Sequence, residues 1–183
     1  MLLAACFELL TSCMSVSLPL AENILLSNNN FTGPIRNFFG SFQNLDFADF
    51  ANNQFSGFLP STLFDIPTIR IVYFSNNQMV GEIPSNFGRS PALRDLYLDG
   101  NQLRGNVPNI GTGQLLELTE LLLQDNELTG EMPASVCALR TIGILEDLWA
   151  DCNPEDGNSP KISCQLGCCT QCFPEPPPIE VVI

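Results

Sequence analysis

Residues 27–35 read SNNNFTGPI, and the spacing Asn-x-Phe-x-Gly-x-Ile within them returns as ANNQFSGFLP (51–60), SNNQMVGEIP (75–84), GNQLRGNVP (100–108) and DNELTGEMP (125–133). The recurring asparagines are Asn29, Asn53, Asn77, Asn101 and Asn126, separated by 24, 24, 24 and 25 residues. A fixed period of this size marks a repeat array, in which no unit buries its own apolar face and stacking on the next unit does so. The flanking residues agree. Eight, five and three positions before the asparagines stand Leu45, Ala48 and Phe50, then Ile69, Val72 and Phe74, then Leu93, Leu96 and Leu98, then Leu118, Leu121 and Leu123. The first copy, Ala21, Ile24 and Leu26, is weaker. Two positions after each Asn comes Phe31, Phe55, Met79, Leu103 or Leu128, and four after it Gly33, Gly57, Gly81, Gly105 or Gly130.

The Leu-x-Leu segment alternates in and out as a strand, and equivalent strands of successive coils pair into a parallel sheet. The Asn turns inward, where its amide satisfies backbone groups that the turn leaves without partners. Glycine permits the tight backbone that follows, and the residue before each Pro is held extended. Residues Leu145, Leu148, Ala150 and Asn153 fit the same frame as a sixth, terminal rung, after a 27-residue step and without a following glycine.

The pattern L-x-x-L-x-L-x-x-N-x-L-x-G-x-I-P resembles the plant-specific class of leucine-rich repeat, found in receptor-kinase ectodomains and polygalacturonase-inhibiting proteins. It covers roughly residues 21–153. The resemblance implies an α/β repeat fold: a right-handed solenoid with a parallel concave β-sheet and a convex side of short 3-10 turns and extended chain. Three departures are local: Arg36 stands where Pro is expected, Ser90 occupies a usually apolar site, and one residue is inserted near Gly111-Thr112-Gly113. That glycine pair lacks the strand-to-helix setting and the Lys of a phosphate loop.

Composition narrows the function. Acidic residues outnumber basic ones 20 to 7, a net charge of −13, which disfavours nucleic acid and anionic membrane surfaces. There is no histidine, which removes the usual general base and every Ser-His or Cys-His arrangement. No motif calls for a cofactor. With 45% hydrophobic residues the chain has the means to build a core.

Six cysteines, Cys137, Cys152, Cys164, Cys168, Cys169 and Cys172, crowd one 36-residue stretch (137–172) just after the last repeats. Three disulfides covering the open end of the array are the expected use, in an oxidising compartment, and six cysteines leave the pairing undetermined. A metal knuckle from Cys164, Cys168, Cys169 and Cys172 is the rival, disfavoured because adjacent cysteines suit one tetrahedral ion poorly. The tail CCTQCF also resembles the ends of predicted diatom leucine-rich repeat proteins. The reading thus divides the chain into an apolar segment (1–20), the solenoid (21–153), a Cys-rich cap (154–173) and a Pro-rich tail (174–183). Residues 1–20 read either as a signal peptide ending near Ser15-Val16-Ser17 or as an N-terminal cap or the start of a fragment. The segment is too short to cross a bilayer as a clean helix. Asn30-Phe31-Thr32 is a sequon for N-glycosylation.

The strand residues that are not leucines face the concave side and form columns. Six before the Asn run Asn23, Phe47, Ile71, Asp95, Glu120 and Asp147; four before it, Leu25, Asp49, Tyr73, Tyr97, Leu122 and Trp149; two before it, Ser27, Ala51, Ser75, Asp99, Gln124 and Asp151. Phe47, Tyr73, Tyr97, Leu122 and Trp149 offer rigid contact area, and Asp95, Asp99, Glu120, Asp125, Asp147 and Asp151 add negative charge. The expected ligand-binding set is Phe47, Tyr73, Asp95, Tyr97, Asp99, Glu120, Leu122, Asp125, Asp147 and Trp149. The expected role is a non-catalytic, extracellular or cell-surface recognition module for a basic protein or peptide. Alternatives are a polygalacturonase-inhibitor-like regulator of a secreted hydrolase and a structural or adhesive surface protein. Catalysis is disfavoured because an open sheet is a poor place to exclude water. A calcium loop in DCNPEDGN (151–158) lacks the EF-hand spacing.

Overall fold

The structure, a computed structural model, describes residues 20–153 and 161–174. Residues 1–19 of the expected signal peptide or N-cap, most of the acidic loop after Cys152, and the Pro-rich tail beyond Pro174 lie outside the described residues. Each coil contributes a concave strand and, after its Asn, a second strand on the flank. They are β1 (Asn23–Leu25) and β2 (Thr32–Pro34), β3 (Phe47–Asp49) and β4 (Gln54–Phe58), β5 (Ile71–Tyr73) and β6 (Gln78–Gly81), and β7 (Asp95–Tyr97) and β8 (Gln102–Gly105). The fifth coil holds β9 (Glu120–Leu122), β10 (Glu127–Leu128) and β11 (Gly130–Glu131). Then come β12 (Asp147–Ala150), β13 (Ile162–Ser163) and β14 (Gln171–Cys172).

All pairings are parallel. The concave sheet runs β1-β3-β5-β7-β9-β12-β14, and a second sheet of five runs β10-β8-β6-β4-β2 along the flank. The register aligns Ile24, Ala48, Val72, Leu96, Leu121 and Leu148 as one inward row. From Ala48 to Leu148 every member of that row is at most 1% exposed. The asparagines fall in single file and do what the spacing implied. The Oδ1 of Asn53, Asn77, Asn101 and Asn126 accepts the N–H of Phe31, Phe55, Met79 and Leu103, all at 2.9–3.0 Å. Each Nδ2 donates to the carbonyls of its own coil and to one in the coil before, as Asn101 does to Leu98, Asp99 and Phe74.

The convex side is built from 3-10 turns at Phe39–Ser41, Ser61–Asp65 and Phe87–Arg89, whose Phe39, Phe64 and Phe87 fill the core. The coil of the 27-residue step departs from this. It uses two single-turn α-helices, Ala134–Cys137 and Leu139–Ile142, which take up the three extra residues at a shorter rise per residue. Ser90 is accommodated by its hydroxyl, fully buried and donating to the Phe64 carbonyl at 2.7 Å.

All six cap cysteines are bonded, as Cys137–Cys168, Cys152–Cys172 and Cys164–Cys169, which leaves no thiolate for the rival metal knuckle. The cap also continues the array: β14 pairs with β12 in the concave sheet, while Asn153 departs from the earlier asparagines by donating forward, to the carbonyls of Cys172 and Pro174. No described helix is long and apolar enough to cross a membrane.

Candidate functional site on the concave sheet

Strand alternation sends residues either side of the leucine row to the concave face, and parallel register lines them up across strands. One row reads Phe47, Ile71, Asp95, Glu120, Asp147, and the next reads Asp49, Tyr73, Tyr97, Leu122, Trp149, Gln171. Every member is half-buried. Tyr73 and Tyr97 stack at 4.2 Å between ring centroids, Phe47 meets Tyr73 edge-on at 5.5 Å, and Trp149 packs on Phe173 at 5.8 Å. These contacts restrict the rings to one another's faces and edges.

The carboxylates are held by neutral donors. Tyr97 donates its hydroxyl to Glu120, Thr119 to Asp95 at 2.7 Å, and the Trp149 indole N–H to Asp147 at 3.3 Å. Burial, the Glu120 hydrogen bond and the neighbouring Tyr73 hold the Tyr97 phenol far above its ordinary range. Burial also raises Tyr73, opposed by a hydrogen bond to Tyr97 and reinforced by the charges of Asp95, Glu120 and Asp49. Both phenols are therefore held in the neutral form, with Tyr97 donating to Glu120.

Three acids of the expected set or its column lie elsewhere. Asp99 follows its strand, accepts the Ser75 hydroxyl at 2.6 Å, and is pushed above the usual carboxylate range by burial. Asp125 is exposed in a left-handed turn at φ 57°, on the rim rather than the sheet face. Asp151, expected on the acidic face, is 4% exposed, and its two oxygens accept the backbone N–H groups of Asp125 and Asn126. It replaces the carbonyl that serves this role in other coils, so it closes the turn and is not available to a partner. The sequon residue Asn30 is exposed, its Oδ1 accepting from the Gln54 amide.

Sequence reasoning missed two features. Gln171 and Phe173 extend the concave face into the cap, signalled only by a Thr-x-Cys-x-Pro run that lacks the leucine frame. Asn28, Asn52 and Asn76, all at φ 55–58°, form an outer amide ladder, with Asn52 donating to Asn28 at 3.1 Å and Asn76 to Asn52 at 3.0 Å. The doubled Asn-Asn of the repeats was the available signal. A flank groove of about 840 Å³ runs beside Glu82, Pro84, Asn106, Pro108, Glu131 and Pro133. Its walls recur with the coil period, so it is the furrow between proline turns rather than a singular cavity.

A Leucine Rich Repeat family model matches residues 68–90 and 117–139. The fold is that of a leucine-rich repeat solenoid. The repeats superpose on the plant peptide hormone receptor RGFR1 in complex with RGF2, with 31% identity, TM-score 0.62, and coverage of 66% of this chain and 19% of that one. They are also similar to the ectodomain of the Arabidopsis thaliana receptor kinase GASSHO1/SCHENGEN3 in complex with CASPARIAN STRIP INTEGRITY FACTOR 2, at 29% identity, TM-score 0.64, and 70% and 15% coverage. A third similar structure is the Arabidopsis receptor kinase HAESA in complex with the peptide hormone IDA and the co-receptor SERK1, at 28% identity, TM-score 0.63, and 70% and 21% coverage. The leucine-rich repeat chain thus spans about a fifth or less of the length of these receptors. No curated protein matches it in sequence.

Proposed function

We propose that the chain is a non-catalytic recognition module that holds a basic peptide or protein segment on its concave sheet. The observation that carries this reading is the register that gathers Phe47, Tyr73, Tyr97 and Trp149 beside Asp95, Glu120 and Asp147 on one face. Aromatic anchors with a charged surround are the usual energetic centre of an interface. The similar receptor structures were solved with peptide hormones bound, which supports a peptide as guest. Three disulfides support an extracellular setting, since such bonds persist in oxidising compartments.

The test is capture from a library of secreted peptides by the immobilised chain. Tyr97→Ala with Trp149→Ala should abolish capture, while Ile142→Ala on the exposed convex side should leave it intact, all with an unchanged circular dichroism spectrum. Equal capture by the double variant would refute the reading.

A further inference from the structure

The row Asp95, Glu120, Asp147 sets three carboxylates side by side on the adjacent strands β7, β9 and β12. Like charges directly opposite one another weaken a sheet, so such a row calls for a compensating partner. The donors on the row are neutral, namely the Tyr97 hydroxyl, the Thr119 hydroxyl and the Trp149 indole, and the ion pairs Asp46–Arg70 and Asp65–Arg89 engage other carboxylates. Nor does the row suit a metal ion, because among the described residues no three carboxylates bring oxygens within 4.8 Å of one another.

The row has two seats of the same design. At each end a carboxylate is followed two residues later, on the same strand and face, by an aromatic ring: Asp95 with Tyr97 and Asp147 with Trp149. Between them stands Glu120, tied to the Tyr97 hydroxyl. Neighbouring strands lie about 4.8 Å apart, so the two seats are about 9.6 Å apart. An extended left-handed polyproline helix rises about 3.1 Å per residue with three residues per turn, so side chains three apart lie on one side at about 9.3 Å. The match in both distance and direction is specific to a spacing of three.

We propose that this face recognises a peptide segment with two arginines three positions apart, Arg-x-x-Arg, in polyproline conformation, one guanidinium on Asp95 and Tyr97 and the other on Asp147 and Trp149. Arginine suits the seats better than lysine because its planar fork pairs with a carboxylate while its flat face lies against a ring. This rests on the concave face being the recognition surface and names what that surface reads.

Trp149 is the only tryptophan, so its fluorescence reports the site directly in the intact, disulfide-bonded chain. The probe is acetyl-Ala-Arg-Pro-Pro-Arg-Ala-amide, compared at equal charge with peptides carrying Arg-Pro-Arg, Arg-Pro-Pro-Pro-Pro-Arg and Lys-Pro-Pro-Lys, with calorimetry as a second readout. The spacing of three should bind at least tenfold tighter than the other arginine spacings and several-fold tighter than the lysine peptide. Asp95→Asn and Asp147→Asn should each weaken it at least fivefold, the spectrum of the free chain confirming the fold. Equal affinity at every spacing would mean charge attraction alone and overturn the proposal, as would indifference to both substitutions. If no basic peptide binds while capture from the secreted library still depends on Tyr97 and Trp149, this inference falls and the concave-face reading stands.

Discussion

Asn101 shows how much one side chain does in this fold. Its Oδ1 accepts from Met79, its Nδ2 serves three carbonyls, and it is 8% exposed. Asn101→Ala strands these groups away from water and should cost about 2–4 kcal/mol by the penalty for buried unsatisfied donors and acceptors. Asn101→Asp should cost more at neutral pH, since a carboxylate faces three carbonyls with nothing to donate; urea unfolding of the two variants checks the order. Asp99 is the opposite case. Burial raises its pKa, so the folded state holds the proton more tightly than the unfolded one, and stability falls as pH rises from the ordinary carboxylate range through the raised value. Asp99→Asn, which keeps an acceptor for Ser75, should therefore raise the urea midpoint at pH 7. That gain should vanish near pH 3, where Asp99 is protonated in both states.

Among elements, the flank strands depend on glycines held at φ near +85°. Gly33 and Gly81 share that backbone, but a Cβ at Gly33 meets nothing within 4 Å, whereas at Gly81 it meets the ring of Phe58. Gly33→Ala should cost about 1–2 kcal/mol for the left-handed conformation alone. Gly81→Ala should cost more, with the excess disappearing in a Phe58→Ala background; denaturant midpoints of the four chains separate the two terms. The concave strands were legible because their burial is repeated: a period of 24 puts Ala48, Val72 and Leu96 in register without reference to anything else. The convex turns were less so, because Phe39, Phe64 and Phe87 pack within 3-10 geometry that has no alternating pattern to reveal it. The cap strand was hidden for a related reason: β14 contributes Gln171 and Cys172 in register with Trp149 and Ala150, and Thr170 stands beside Leu148 where the frame calls for a leucine. Of the residues named for the expected site, those on strands share the concave rows that alternation implies, while Asp99, Asp125 and Asp151 lie beyond the strands, because alternation stops at the turn and says nothing about where the next side chain points.

At the scale of the molecule, each coil touches its neighbours and little else, so damage stays local. Cys137–Cys168 ties the helical turn of the fifth coil to the cap across 31 residues. Replacing both by Ser should lower stability by about 2–4 kcal/mol. Hydrogen exchange should show the loss near β12 and β14, with β3, β5 and β7 still protected; uniform loss of protection would mean that the array unfolds as one unit.

Because β14 is one more rung of the same sheet, the cross-linked terminus can slide along the axis without being redesigned. Duplicating residues 78–101 would insert a full turn carrying its own copies of Asp95 and Tyr97, shift the terminus outward by about one strand spacing, and leave every interface of a kind already present. The molecule is in this sense a ruler whose graduations are set by chain length alone. Lengthening it by one mark would add a longer interval between acid-and-ring stations, and with it a longer guest.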